Sequence, residues 1–475
     1  MAVIQHKRIT LATMCIATFV AILDTTVVNL ALHSIQADLH ADVTLLQWIL
    51  ELYNLMYAGF IMTGGILGDL YGRRRVFVIG MALFTGGSVL CALAPGAGWL
   101  IAGRGIAGLG AALQLPGSLA ILNVTFDDRE RGRAISIWGG CNGLAMAVGP
   151  TIGGVLVEHL GWRSVFMLVV PFGAAAIGLA LRYVSESSNA PGLRLDVRGQ
   201  LLSIIILVGL TFGIIQGPVL TWSSPWVIGA LVASALGAIG FIAVERRQDV
   251  PVVALDVFRD RGFSAAIVDA ALMTFGFYGM LFTVPLYMQS VRGHGAMVAG
   301  LVLVPMSVVF FLLSLGGGYL YERLGARIPV ATGFVLVACG LFRLAFVEAD
   351  SSYATLVVAL VVVGVGCAVA TGPLFTTAVA HAPRSRSGMS SGLLNVGRMV
   401  GAALGVAVLG AIFTAHVGSN VQQGTFEVPN FIAGMRGALL VGACGELAGA
   451  IIAIALLPGA APDRRSGPAH AAHPA

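Results

Sequence analysis

The sequence predicts an all-α polytopic membrane protein: fourteen transmembrane helices, grouped as two six-helix bundles with two further helices between them. Three observations lead there. Hydrophobic residues make up 57% of the chain and charged residues only 10%, whereas a soluble domain carries about 25% charged residues. The chain divides into fourteen apolar segments, each near the roughly 20 residues that a helix needs to cross the hydrocarbon core. A short polar loop at the end of the second segment also returns, weakened, from Gly318 onward.

The segments run near 10–32, 46–67, 76–94, 99–120, 134–156, 164–182, 199–217, 225–244, 263–288, 296–318, 328–347, 353–376, 388–414 and 431–457. The first follows Lys7 and Arg8. It is too long for a signal peptide, carries Asp24 and leads straight into further spans, so it is expected to stay uncleaved. The basic residues test the count. Lys7 and Arg8, Arg73 to Arg75, Arg129, Arg131, Arg133, Arg182, Arg194, Arg198, Arg246, Arg247, Arg259, Arg261, Arg323, Arg327, Arg384, Arg386, Arg464 and Arg465 all fall on one side. Arg163 and Arg292 alone fall on the other, and Arg104, Arg343, Arg398 and Arg436 lie within segments. That asymmetry places both termini in the cytoplasm and supports an even number of spans. After Pro458 the chain is rich in Ala, Pro, His and Arg and is expected to be disordered.

The polar loop reads Gly65-Ile-Leu-Gly-Asp-Leu-Tyr-Gly-Arg-Arg-Arg75, and its second copy Gly318-Tyr-Leu-Tyr-Glu-Arg-Leu-Gly-Ala-Arg327. Gly65 matches Gly318, Asp69 matches Glu322, Gly72 matches Gly325 and Arg74 matches Arg327. Gly108-Leu-Gly-Ala-Ala in span four likewise resembles Gly364-Val-Gly-Cys-Ala in span twelve, and Arg129-x-Arg131 resembles Arg384-x-Arg386. The near-constant offset makes spans 1–6 and 9–14 two homologous halves. The expected division is 1–185 for the first bundle, 186–261 for inserted spans seven and eight, 262–457 for the second bundle and 458–475 for the tail.

The first loop fits Gly-x-Leu-x-Asp-x-x-Gly-Arg-[Arg/Lys] and resembles the loop between spans two and three of the major facilitator superfamily of transporters. On that resemblance the fold is the major facilitator fold, with the substrate site between the halves near mid-membrane. Gly65, Asp69, Gly72 and Arg73, with Glu322 in the second copy, become gating residues. Span one, Leu23-Asp24-Thr-Thr-Val-Val-Asn-Leu-Ala-Leu32, resembles the first-span motif of the family's fourteen-span drug:proton antiporters, with His33 where proline is usual. Asp24 lies about 12 Å from the outer end of its helix, and an acid at that depth is a functional hypothesis by default. Arg104-Gly-Ile-Ala-Gly-Leu-Gly-Ala-Ala112 resembles the span-four motif, with Ala107 where Gln is common. Arg104 would act on a neighbouring carboxylate, so Asp24 and Arg104 form the expected proton-coupling set.

Glu51 sits at the same level on span two, beside Trp48, Tyr53 and Tyr57, where a carboxylate among aromatic rings would recognise cations. Gly139-x-x-x-Gly143 through Gly149-Pro150-x-x-Gly153-Gly154 resembles the antiporter motif of exporters, which adds Gly149 and Pro150 to the gating set. Asn395-Val-Gly-Arg398 with Gly401 and Gly405 resembles span thirteen of the same antiporters. Asn395 and Arg398 join the substrate residues, with Glu446 and Asp269 as candidate counter-ions of Arg398. Arg343 is a further expected buried charge, with Glu348 near its outer end.

The resemblance implies a proton-coupled exporter of amphiphilic, often cationic, compounds in the cell membrane. It would be driven by the proton gradient without a cofactor and would work as a monomer in the lipid bilayer. A dedicated exporter of one biosynthetic product, a metabolite facilitator or importer, and a non-transporting receptor of the same fold stay open. Other classes fall away on composition. Lys7 is the only lysine, so no Gly-Lys-[Ser/Thr] nucleotide loop exists. The net charge of +5 is spread over short loops and offers no nucleic-acid surface. Cys15, Cys91, Cys141, Cys339, Cys367 and Cys444 lie in apolar segments without Cys-x-x-Cys spacing and read as buried small hydrophobes. No metal-ligand spacing occurs, and no loop is long enough to build an enzyme's catalytic domain.

Overall fold

A computed structural model describes residues 2–187, 196–247, 255–314, 316–380, 387–417 and 427–459. Arg194, Arg384, Arg386, Arg464, Arg465 and nearly all of the expected disordered tail lie outside the described residues. Among the described residues, fourteen helices are long and apolar enough to cross a membrane. They are α1 (His6–Leu39), α2 (Val43–Tyr71), α3 (Arg73–Ala92), α4 (Ala97–Thr125), α5 (Arg133–Leu160), α6 (Arg163–Tyr183) and α7 (Val197–Leu220). Then follow α8 (Pro225–Glu245), α9 (Arg261–Val291), α10 (Ala296–Ser314), α11 (Arg327–Ala345), α12 (Tyr353–Ala378), α13 (Gly392–Val417) and α14 (Val428–Leu456). Proline does not break these helices, because a bilayer leaves the backbone no partner but itself. Pro116, Pro150, Pro285, Pro305 and Pro373 all sit inside helices.

Most helices run a few residues past the segments read from the sequence, the first to Leu39, and two boundaries differ in kind. The tenth segment, expected to reach 318, stops at Ser314, and a separate short helix Gly317–Leu324 carries the second polar loop. The glycine run Gly316 to Gly318 explains the break, since glycine gives up the most backbone freedom in a helix. The ninth helix widens at its end into a π-helix, Tyr287–Val291.

The packing repeats with a shift of eight helices. In the first half α1 packs on α5 and α6, α2 on α4, and α3 on α4 and α6. In the second half α9 packs on α13 and α14, α10 on α12, and α11 on α12 and α14. Two main seams join the halves, α5 against α10 and α2 against α13, and the same shift relates them. Helices α7 and α8 pack on each other, and α7 lies against both α2 and α13. There Gln200 Nε2 donates to the Gly59 carbonyl at 2.6 Å, and Trp48 meets Phe212 at 6.2 Å between ring centroids.

Close approach accounts for the glycines that the motifs share. A Cβ at Gly401 or Gly405 would strike the carbonyl of Ala271 or Phe275, and one at Gly397 would press on Ile267, so α13 rides directly on the backbone of α9. On α5, Gly149 and Gly153 take Thr26 and Val27 of α1, while Gly154 takes Ala296 and Met297 of α10. One stripe of small residues therefore closes both an intra-half and an inter-half contact.

The two polar loops also match in detail. Gly72 and Gly325 both hold positive φ, 106° and 70°, as the sharp turn between spans requires. Arg74 Nη1 donates to the Val184 carbonyl after α6 at 3.1 Å, and Arg327 Nε donates to the Leu457 carbonyl after α14 at 2.9 Å. Of the cysteines, Cys91 and Cys367 are buried, but Cys339 and Cys444 are exposed on the outer faces of α11 and α14. For those two the expectation of burial is corrected: a small apolar thiol suits a lipid-facing position equally well.

Candidate functional site

A cavity of about 640 Å³ lies between the halves, lined from α1, α2, α4 and α5 on one side and α9, α10, α12 and α13 on the other. No residue of α7 or α8 lines it. On α2 the lining falls at Tyr53, Tyr57, Ile61, Met62, Gly65, Ile66 and Asp69, along a single face. The cavity reaches the end of the molecule that carries the basic loops, where Asp69 and Asn123 stand at its rim.

The opposite end is shut by contacts between the halves. Gln289 Nε2 donates to the Leu30 carbonyl at 3.2 Å, and Gln47 Nε2 to the Val406 carbonyl at 3.3 Å. His33 Nδ1 meets Ser290 Oγ at 3.1 Å, so the histidine that replaces the family's proline bonds across to the other half while α1 continues as a helix. Glu158 Oε2 accepts from the Met297 backbone N–H at 2.9 Å, at the exposed N-terminus of α10. A Cβ at Gly300 would collide with the Pro150 carbonyl.

Next to the closed end sits the most deeply buried ion pair among the described residues. Arg104 Nη1 donates to Asp24 Oδ2 at 2.5 Å, with both side chains within 2% of full burial. Arg104 Nε donates to the Ile49 carbonyl at 3.1 Å, and the guanidinium lies over the Tyr53 ring, 4.3 Å from its centroid. Asp24 Oδ1 is buried without a partner among the described residues. Tyr53 is thus both cavity wall and stacking surface for the pair.

The other expected site residues separate into two groups. Tyr53, Tyr57, Asn395, Arg398, Gly65 and Asp69 line the cavity. Glu51 and Trp48 do not. Glu51 is two residues from Tyr53 and so about 200° around the helix. It shares a face with Gln47, which reaches α13, and both carboxylate oxygens are buried with no hydrogen bond of proper geometry. The Asn54 side chain lies near it. The expected cluster of Asp24, Glu51 and Arg104 is therefore a pair plus an acid on another face. Trp48 packs on α7, as noted.

Arg398 points into the cavity, over the Phe375 ring at 5.5 Å. The expectation that Glu446 or Asp269 neutralises it is corrected. Both acids are fully buried, and no oxygen of either has a partner among the described residues. They lie within electrostatic reach of each other, and Glu446 fits where Gly276 of α9 lacks a side chain. They are thus packed behind the cavity wall, while Arg398 faces out of it. Arg343 is also corrected. It is exposed on α11, and Glu348 pairs instead with Arg436, at 3.9 Å.

In the gate loop, Asp69 accepts from Arg73 Nε at 2.8 Å and Nη2 at 2.7 Å, four residues on. Glu322 is exposed and has no such partner, because Ala326 stands where the first copy has Arg73. Sequence reasoning missed Glu186. From the chain after α6 it accepts from the backbone N–H groups of Arg74 at 3.0 Å and Arg75 at 3.2 Å, capping α3. An acid just past the sixth span, opposite three arginines, was the available signal. Gly149 and Pro150 sit in the packed stripe described above.

Comparison with known proteins agrees with this geometry. A model of the Major Facilitator Superfamily matches residues 14–406. The chain is 39% identical over 419 residues to the multidrug resistance protein Stp of Mycobacterium tuberculosis (strain CDC 1551 / Oshkosh), covering 88% of this chain and 78% of that protein. It is 34% identical over 411 residues to the tetracenomycin C resistance and export protein of Streptomyces glaucescens, covering 86% and 76%. Among solved structures, a bacterial homologue of the human lysosomal transporter Spinster superposes with a TM-score of 0.66 at 16% identity, over 94% of this chain and 96% of the other. With fourteen membrane-spanning helices and these relatives, the chain belongs to the Major Facilitator Superfamily, among its multi-pass drug-efflux transporters.

Proposed function

We propose that this transporter exports amphiphilic small molecules across the cell membrane in exchange for protons, with Asp24 as the coupling acid and Arg104 as its switchable partner. What carries the reading is the position of the Asp24–Arg104 pair. It lies at the closed end of an aromatic cavity whose wall, Tyr53, also stacks on the arginine.

A buried carboxylate needs a partner charge there, and the arginine supplies it. When the halves rock and the outer end opens, water reaches the pair and Asp24 takes a proton. Arg104 then keeps its bond to the Ile49 carbonyl and its place on Tyr53. The proton leaves once the cavity faces the cytoplasm again, and the gradient sets the direction. With both termini cytoplasmic, the arrangement described is the inward-facing state. Export of several chemotypes, or of a single product, fits the same cavity, and the antiporter-like stripe of α5 favours export over import.

The test is uptake of a panel of neutral, anionic and cationic aromatic amphiphiles into inside-out vesicles under an imposed pH gradient, acidic inside. Accumulation that collapses with the gradient supports the proposal. Equal distribution with and without the gradient contradicts it.

A further inference from the structure

We infer that the cavity selects amphiphiles bearing an acidic group, and that Arg398 is the residue that binds that group. This rests on the exporter reading and names the class of its cargo. The expectation of cationic cargo depended on Glu51, and Glu51 is turned away from the cavity.

The charges around the cavity decide its sign. Among the described residues that line it, two are formally charged, Asp69 and Arg398. Asp69 stands at the rim and is already held by two nitrogens of Arg73. Asp24 lies behind the wall and is matched by Arg104. Asp269 and Glu446 are fully buried and make no ion pair with Arg398 among the described residues. What a ligand meets inside is therefore one uncompensated guanidinium. Its Nε is buried without a hydrogen-bond partner among the described residues, and its Cζ lies 5.5 Å from the Phe375 ring centroid, so the terminal nitrogens are the ones left to a ligand.

Arginine suits this task better than lysine would. It keeps its charge, sheds water more readily, and offers a planar fork that matches a carboxylate or sulfonate. Its backbone is firmly placed. Thr274 Oγ1 donates to the Arg398 carbonyl at 2.7 Å, and Gly397 and Gly401 on either side pack on the α9 backbone. Tyr57, Tyr278 and Phe277 share the same cavity and supply apolar faces for the body of the ligand. A volume of about 640 Å³ is within the range of sites for drug-sized molecules.

The experiment compares two probes of one shape and opposite charge, 4-(1-pyrenyl)butyrate and 4-(1-pyrenyl)butyltrimethylammonium. Equilibrium binding to the purified full-length protein is measured for wild type, Arg398→Lys and Arg398→Gln. Wild type should bind the carboxylate about tenfold more tightly than the ammonium, a modest return for one charge-assisted contact in a shielded site. Arg398→Gln should erase that preference by weakening the carboxylate alone, and Arg398→Lys should restore part of it. No charge preference in wild type, or equal loss of both probes in Arg398→Gln, overturns the inference. If proton-driven uptake of the probes persists in that case, the exporter reading stands without it. If wild type neither binds nor moves either probe, both readings fall.

Discussion

Asp24 and Arg104 meet at 2.5 Å across α1 and α4, and Asp24 Oδ1 is left buried without a partner among the described residues. The pair is therefore closed on one side and incomplete on the other. A carboxylate with one satisfied oxygen in a dry site is held less firmly than a bidentate pair, which suits the coupling role proposed for Asp24.

Removing one member should cost more than removing both. Arg104→Gln leaves Asp24 buried without its cation, and breaking a buried pair costs about 3–5 kcal/mol. Asp24→Asn should be milder, because the amide oxygen still accepts from Arg104. The double variant Asp24→Asn/Arg104→Gln should recover most of the stability lost by Arg104→Gln alone. Thermal unfolding in detergent checks the order. Losses that simply add would show that the two residues act independently.

Closure of the end opposite the basic loops depends on absent side chains. Gly300 sits against the Pro150 carbonyl, so Gly300→Ala cannot close the α5–α10 seam as it stands. The variant should shift the population toward the outward-open state. Distances between spin labels placed at the outer ends of α5 and α10 would lengthen relative to wild type. An unchanged distribution would mean that the helices shift to accommodate a methyl group and that the glycine is not a gate.

The gate loop has two acids with separate tasks. Glu186 caps α3, so Glu186→Ala should lower stability by about 0.5–2 kcal/mol with little change in turnover per folded molecule. Asp69 holds Arg73; if that loop gates the cavity, Asp69→Asn should slow turnover far more than it weakens equilibrium substrate binding. Measured kcat and Kd for the two variants separate these tasks. An Asp69→Asn variant that loses both equally would point to a damaged fold.

The helices were legible because span length and arginine placement are crude, chain-wide signals. Local motifs also named the partners in the Asp24–Arg104 pair, since each acid or base was placed by its depth along one helix. Depth alone could not give direction around the axis. Glu51 and Tyr53 share a level, yet face opposite ways. Arg398 and Glu446 failed for a related reason: which faces of α9, α13 and α14 meet is set by the glycine stripe, and that contact is not local in sequence. Glu186 was invisible to motif reading because its role depends on where the chain after α6 returns. The place of α7 beside both α2 and α13 likewise had no sequence signal beyond the insertion itself.

The most direct test of the account is transport by Asp24→Asn in inside-out vesicles with an imposed pH gradient, using the substrate that wild type accumulates best. The account predicts that the variant still equilibrates substrate down its own gradient, which shows a folded and mobile protein, but accumulates none against it at any pH difference. Accumulation by Asp24→Asn at anything close to the wild-type level would contradict it.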